Sequence, residues 1–195
     1  MDKKTLISVT VAIFAAIICV SGFFSVPVPG LYAAIVLQNL ICILTAVLLG
    51  GVLGAAPTAL FFAAGVLGLP VFAGAARGGF QVLTMIGGGY KIGWVFGALI
   101  AGIIAGKPSV EEKKITVKNA VRVSVALVAG MILLYFPEIF YVIAFKKSEL
   151  GIKGSLILFV TTFFAPYILV DLVKSVIGIL IALKIRPTVA QYLYD

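Results

Sequence analysis

The chain is assembled from apolar runs roughly 20 residues long that show no period-two alternation, and it keeps almost all of its charges at the ends of those runs. In lipid such a segment must satisfy its own backbone hydrogen bonds, which a helix does internally and a lone strand does not. With 63% hydrophobic and 11% charged residues in 195, the apolar content exceeds what a soluble core of this size needs. The expected fold class is therefore all-α: an integral membrane protein, with residues 1–195 forming a single transmembrane domain in the lipid bilayer. The formal charge of +8 does not point to nucleic acid, because the Lys and Arg residues are spread over segment ends and form no aromatic-interleaved basic surface. There is no histidine, and Cys19 and Cys42 lie inside apolar runs without ligand partners nearby, so no metal site, no cofactor and no disulfide framework is expected.

Helix 1 is expected over Leu6–Phe24; as a signal peptide its apolar region would be too long, and no small-residue cleavage site follows. Its Ser8, Ala12, Ala15, Ala16 and Cys19 share a face, and small residues at that spacing let another helix approach closely. Pro27, Pro29 and Gly30 end it and open an uncharged, partly re-entrant loop that reaches Gln38. Helix 2 follows over Gln38–Leu49, a glycine turn over Gly50–Gly54, and helix 3 from Pro57 to Leu67. Gly68–Tyr90 is irregular, glycine-dense and apolar, with Arg77 at its centre. Non-helical backbone of this kind is tolerated at membrane depth only when it is buried in protein or lines a cavity.

Helix 4 is expected over Ile92–Gly106, where Gly93, Gly97, Ala101 and Ala105 form a small stripe that predicts tight packing. After the charged loop Lys107–Lys118, helix 5 covers Ala120–Phe136, with the aromatic stretch Phe140–Phe145 beyond Pro137 open to continuing it. Lys146–Lys153 reads as a polar link, and helix 6 covers Leu156–Leu183. Six helices place both termini on one side. That side collects Lys3, Lys4, Lys107, Lys113, Lys114, Lys118, Arg122, Lys184 and Arg186, against Arg77, Lys91, Lys146, Lys147 and Lys153 on the other, which makes both termini cytoplasmic. No internal repeat is evident.

Helix 6 breaks the charge rule. Asp171 and Lys174 sit inside an apolar run, three apart, about 60° around the helix axis and about 4.5 Å along it. With Tyr167, Ser175, Gly178 and Ala182 they form a polar or small stripe that must face inward. From an interface near Lys184, Asp171 lies about 20 Å deep and Lys174 about 15 Å, within a hydrocarbon slab of roughly 30 Å. The Pro27–Gln38 and Gly68–Tyr90 loops lie on the same outer side. The converging polar groups are Gln38, Asn39, Arg77, Tyr90, Asp171 and Lys174, together with loop glycines such as Gly78 and Gly88. They suit a small ligand with a hydrophobic body and a few polar points. Each has a plainer alternative: an internal ion pair for Asp171 and Lys174, a headgroup-level charge for Arg77, helix-end contacts for Gln38 and Asn39, and a belt aromatic for Tyr90.

Several stretches together resemble one family: Val26-Pro27-Val28-Pro29, then Val36-Leu37-Gln38-Asn39, Gly68-Leu69-Pro70-Val71-Phe72-Ala73-Gly74 with Gly78-Gly79, Gly88-Gly89-Tyr90, and Pro166 through Asp171 to Lys174. In order and spacing they resemble the BioY family, the biotin-specific substrate-binding (S) components of energy-coupling factor (ECF) transporters. The resemblance implies an outward-facing vitamin site under the loops joining helices 1 to 2 and 3 to 4. It also implies partnership with a transmembrane coupling subunit and two ATPases, with Ala12 and Ala16 on the docking face. Two stretches depart from the family pattern. Met85-Ile86-Gly87-Gly88-Gly89-Tyr90 stands where Gly-Pro-Thr-Gly-Gly-Tyr is common, so a threonine contact does not carry over. Leu169-Val170 replaces Pro-Gly, which moves any helix break toward Pro166. The expected function is biotin capture without enzymatic activity. The rivals are an S component for another vitamin and a proton-coupled carrier of a small organic anion in which Asp171 titrates against Lys174.

Overall fold

The structure is a computed structural model that describes residues 2–76 and 78–194, with Ala75 described by its backbone alone. Arg77 lies outside the described residues.

Helix α1 spans Lys3–Ser21, and its first turn is capped by Asp2, whose carboxylate accepts from the Thr5 N–H at 3.2 Å. The re-entrant segment that follows is a small hairpin: β1 (Ser25–Val26) pairs antiparallel with β2 (Ile35–Val36), in the register Ser25 with Val36 and Val26 with Ile35. Helix α2 covers Gln38–Leu49 and is buried on every side, with Ile41 its one partly exposed residue. A helix apolar all round belongs at the centre of a bundle, and α2 is the axis around which the others are arranged.

Two left-handed glycines turn the chain after α2, Gly50 at φ 68° and Gly51 at φ 59°. The turn packs so closely on the end of the fourth helix that a Cβ on Gly50 would lie 2.0 Å from the Gly106 carbonyl oxygen. Helix α3 (Ala56–Val66) carries Pro57 in its first turn, where the missing N–H costs nothing. The glycine-dense segment after it is irregular, as expected, with short 3-10 turns at Ala73–Ala75 and Phe80–Leu83. It does not float: the Gly74 N–H donates to the Gly22 carbonyl at 2.8 Å and the Gly79 N–H to the Gly65 carbonyl at 2.8 Å, fixing it to the ends of α1 and α3.

Helix α4 runs Gly88–Ala105, starting four residues earlier than Ile92 because Gly87 takes the left-handed conformation that caps it. Its stripe of Gly93, Gly97, Ala101 and Ala105 is buried. A Cβ on Gly93 would lie 1.9 Å from the Leu134 carbonyl oxygen, so only glycine admits the neighbouring helix here. That neighbour is α5 (Val117–Leu133), capped by the Thr116 hydroxyl, which accepts from the Asn119 N–H at 3.2 Å.

The second half differs in detail from the sequence reading. Of the alternatives left open at Pro137, the chain is helical beyond it, but in a new helix: α5 stops at Leu133 and Pro137 occupies the first turn of α6 (Phe136–Leu158), where proline is compatible with helix. The expected polar link Lys146–Lys153 is itself helical apart from Gly151, whose φ of 68° and ψ of 174° break α6 there. A π-helical turn, Phe159–Phe164, joins α6 to α7 (Ala165–Leu193), which continues ten residues past Leu183. The irregularity therefore falls just before Pro166, where the replacement of Pro-Gly by Leu169-Val170 was expected to move it. Arg186, counted among the flanking charges, is fully buried instead.

Lys3–Ser21 and Gly88–Ala105 are each long and apolar enough to cross a membrane. Val9, Ile13, Ile17 and Val20 on α1, with Leu169, Val173, Val176 and Leu180 on α7, are exposed and give the bundle an apolar exterior. α2 has 12 residues, or about 18 Å, and cannot fill a hydrocarbon slab of roughly 30 Å. The hairpin, the α3–α4 segment and a cavity lie against its N-terminal end.

Candidate ligand-binding site

The cavity has a volume of about 420 Å³ and lies among the β1–β2 hairpin, the α3–α4 segment and the ends of α2, α4, α5 and α7. That size suits a small organic ligand. Its walls are mostly apolar or aromatic, from Phe72, Val82, Trp94, Leu134 and Phe163, with polar tips from Tyr32, Tyr90, Tyr135 and Tyr167. The aromatic groups brace one another: Tyr90 and Tyr135 meet edge to face at 5.5 Å between centroids, and Tyr32 meets Phe163 at 4.6 Å.

Asp171 and Lys174 are both in the lining and both buried, at 2% and 7% exposure. Their i, i+3 spacing makes them an ion pair, with Lys174 Nζ donating to Asp171 Oδ1 at 2.7 Å. The same ammonium donates to the Val36 carbonyl at 2.8 Å and to Asn39 Oδ1 at 3.2 Å. An ammonium has three N–H donors, so Lys174 has none left. Asn39 closes the ring: its Nδ2 donates to Asp171 Oδ1 at 3.0 Å, while its Oδ1 accepts the Leu40 N–H at 2.9 Å, an orphan donor of the first turn of α2. The Tyr135 hydroxyl donates to Asp171 Oδ2. Among the described residues that oxygen accepts one bond, whereas a carboxylate oxygen offers two lone pairs, so Asp171 retains one acceptor position beside the cavity. The rest of the α7 stripe faces inward too, with Ser175, Gly178 and Ala182 buried and the Ser175 hydroxyl donating to the Asp171 carbonyl at 2.7 Å.

Asn39, Tyr90, Asp171 and Lys174 thus come together on one cavity. Tyr90 faces in, and its hydroxyl donates to the Phe163 carbonyl of the π turn. Gln38 does not line the cavity. It is fully buried, donates from Nε2 to the Ile18 carbonyl at 3.0 Å and the Val71 carbonyl at 2.8 Å, and so fastens α1 to the α3–α4 segment. Gly78 and Gly88 are packing positions outside the lining: a Cβ on Gly78 would lie 1.7 Å from the Gly65 carbonyl oxygen, and one on Gly88 would meet Val82 O at 2.6 Å. Ala12 and Ala16 are exposed on α1, away from this site.

Tyr135, Lys91, Trp94, Gln81 and Tyr32 are lining residues that the sequence did not single out as ligand contacts. The available signal was a polar-tipped aromatic in an apolar run for Tyr135, and a charge beside Tyr90 for Lys91. Glu138 supports the rim from behind. It is fully buried and accepts the Gly87 N–H at 2.8 Å and the Tyr90 N–H at 3.1 Å, a carboxylate at the positive end of α4. The hairpin is latched over the site by Tyr167, whose hydroxyl accepts from the Ala33 N–H at 2.7 Å and donates to the Ala33 carbonyl at 2.9 Å.

Comparison with known proteins gives concordant results. The sequence model of the BioY family matches residues 2–191. A biotin transporter BioY from Thermotoga maritima is 32% identical over 178 residues, which is 89% of this chain and 92% of that one. A biotin transporter BioY from Rhodobacter capsulatus is 32% identical over 184 residues, covering 93% of this chain and 92% of that one. A crystal structure of the S-component for biotin from an ECF-type ABC transporter superposes with a TM-score of 0.75 at 25% identity, over 95% of this chain and 94% of that one.

Proposed function

The chain belongs to the BioY family, and from that premise we propose that it is the biotin-capturing S component of an ECF-type transporter. It is a multi-pass membrane protein and not an enzyme. The observation that carries the reading is the open acceptor on Asp171, held beside a mostly apolar cavity of about 420 Å³ by Lys174, Asn39 and Tyr135. Biotin matches this in kind: its fused ring presents ureido N–H donors and its remaining surface is largely hydrocarbon. The proposed contacts are Asp171, Lys174, Asn39 and Tyr90, with Gln38, Gly78 and Gly88 shaping the wall from behind. Arg77, outside the described residues, stays a candidate for the rim.

The topology that goes with this function is one transmembrane domain of six crossings with both termini in the cytoplasm. The helices α1 to α4 supply four, α5 with α6 as far as Gly151 the fifth, and the remainder through α7 the sixth. The cavity then opens outward. Ala12 and Ala16 on the exposed face of α1 are the proposed docking positions for a transmembrane coupling subunit, which works with two ATPases. Purified chain titrated against a panel of vitamins tests the function. One biotin per chain is the expected result, and saturation by a different vitamin with none by biotin overturns it. Proton-driven uptake by the lone chain in liposomes favours a secondary carrier instead.

A further inference from the structure

We propose that Lys91 is the anion receptor of this pocket, the residue that takes the carboxylate of the bound vitamin, while Asp171 and Asn39 serve its uncharged polar ring. The assignment rests on the biotin reading above and deepens it. Among the described residues the cavity lining carries three charged side chains, Asp171, Lys174 and Lys91. The first two neutralise each other, and Lys174 spends all three of its donors on Val36, Asn39 and Asp171. It therefore cannot receive a ligand carboxylate without giving up a bond to a buried partner.

Lys91 is in the opposite condition. Among the described residues its ammonium makes one hydrogen bond, to the Gly87 carbonyl at 3.2 Å, and it lies over the Phe72 ring at 5.4 Å from the centroid. Two N–H donors remain uncommitted. Glu138, the carboxylate nearest in the fold, is occupied by the Gly87 and Tyr90 N–H groups and forms no ion pair with Lys91 among the described residues. Among the described residues, Lys91 is thus the one charged side chain of the lining that is not in an ion pair. In a half-buried site that charge attracts an anion more strongly than it would in water.

The two cations also occupy different stretches of wall. The partners of Lys174 come from β2, α2 and α7; those of Lys91 come from the start of α4 and from Phe72. No partner is shared. A ligand with a neutral polar head and a carboxylate at the far end of an alkyl chain touches both, with Phe72, Val82 and Trp94 against the chain. Biotin has that order of groups.

The test is titration of the purified chain and of Lys91→Met and Lys91→Gln with biotin, biotin methyl ester and biotinamide. The unaltered chain is expected to prefer biotin over the two uncharged derivatives by roughly 10- to 100-fold. Both variants are expected to lose that preference while keeping their affinity for the ester, which also shows that they are folded. A variant that retains the preference, or equal loss of biotin and ester in both variants, overturns the assignment. Equal binding of biotin and ester by the unaltered chain overturns it as well and leaves the biotin reading intact. Absence of biotin binding by the unaltered chain overturns both.

Discussion

Helix α7 carries a buried ion pair toward each end, and the two differ in what they leave unsatisfied. Toward its C-terminal end, Arg186 donates to Glu112 from Nε at 2.8 Å and from Nη2 at 3.2 Å, and to the carbonyls of Val47, Ala105 and Gly106, which end α2 and α4. Arg122 holds the same carboxylate from outside. A guanidinium spread over two helix C-termini suits the negative end of both dipoles, and neither Arg186 nor Glu112 lines the cavity described above. About 18–22 Å away along the same helix, Asp171 and Lys174 are as deeply buried but border a cavity, and Asp171 keeps one acceptor free among the described residues. Burial of a charge pair therefore does not by itself distinguish a staple from a site. The distinction lies in the hydrogen-bond account and in the space beside it.

Substitutions at the two clusters should separate stability from binding. Arg186→Met leaves Glu112 and several helix-end carbonyls without their buried partner and is expected to cost about 3–5 kcal/mol of stability. Thermal unfolding in detergent measures the loss, and biotin affinity of the surviving folded protein should stay near that of the unaltered chain. The double replacement Asp171→Leu with Lys174→Met is the converse. Removing both charges together leaves no buried unpaired charge, so its stability cost should be smaller than that of Arg186→Met, while biotin binding falls roughly 100-fold, or about 2.7 kcal/mol, by titration. If instead the Asp171–Lys174 double variant unfolds and the Arg186 single variant loses biotin, the comparison is reversed.

Smaller changes refine it. Tyr135→Phe removes one donor to Asp171 and is expected to weaken biotin by about fivefold, close to 1 kcal/mol, with little change in unfolding temperature. Gln38→Leu should alter biotin affinity by less than about twofold, because Gln38 bonds to Ile18 and Val71 and not to the cavity. Its stability cost should stay under about 1 kcal/mol, since the lost bonds are offset by removal of a buried Oε1 that has no partner. An effect on affinity as large as that of Tyr135→Phe would place Gln38 in the site.

Gln38 and Asn39 show how far the sequence could be read. Both stood out as polar residues opening an apolar helix, yet neighbours on a helix point about 100° apart. One turns to α1 and the other to the cavity, and only the three-dimensional arrangement says which. Asp171 and Lys174 were legible because intramembrane charges are rare, and the α4 stripe because small residues every fourth position have few other uses. Tyr135 was not, since a tyrosine in an apolar run looks like core or belt until its partner, 36 residues later, is seen beside it. The same holds for Lys91, whose place in the first turn of α4 depends on the helix beginning at Gly88. The alternatives left open at Pro137 had a local cause: proline marks a boundary without saying on which side the helix lies.

The latch between Tyr167 and Ala33 is asymmetric in heredity. Both of its bonds reach residue 33 through main-chain atoms, so that position can vary among side chains without dissolving the contact, proline being the exception because it lacks the N–H. The tyrosine has no such latitude, for no other side chain places a hydroxyl that far from the backbone of α7. A hairpin that drifts in sequence can thus remain fastened over its cavity, its position recorded at a single codon on the opposite wall.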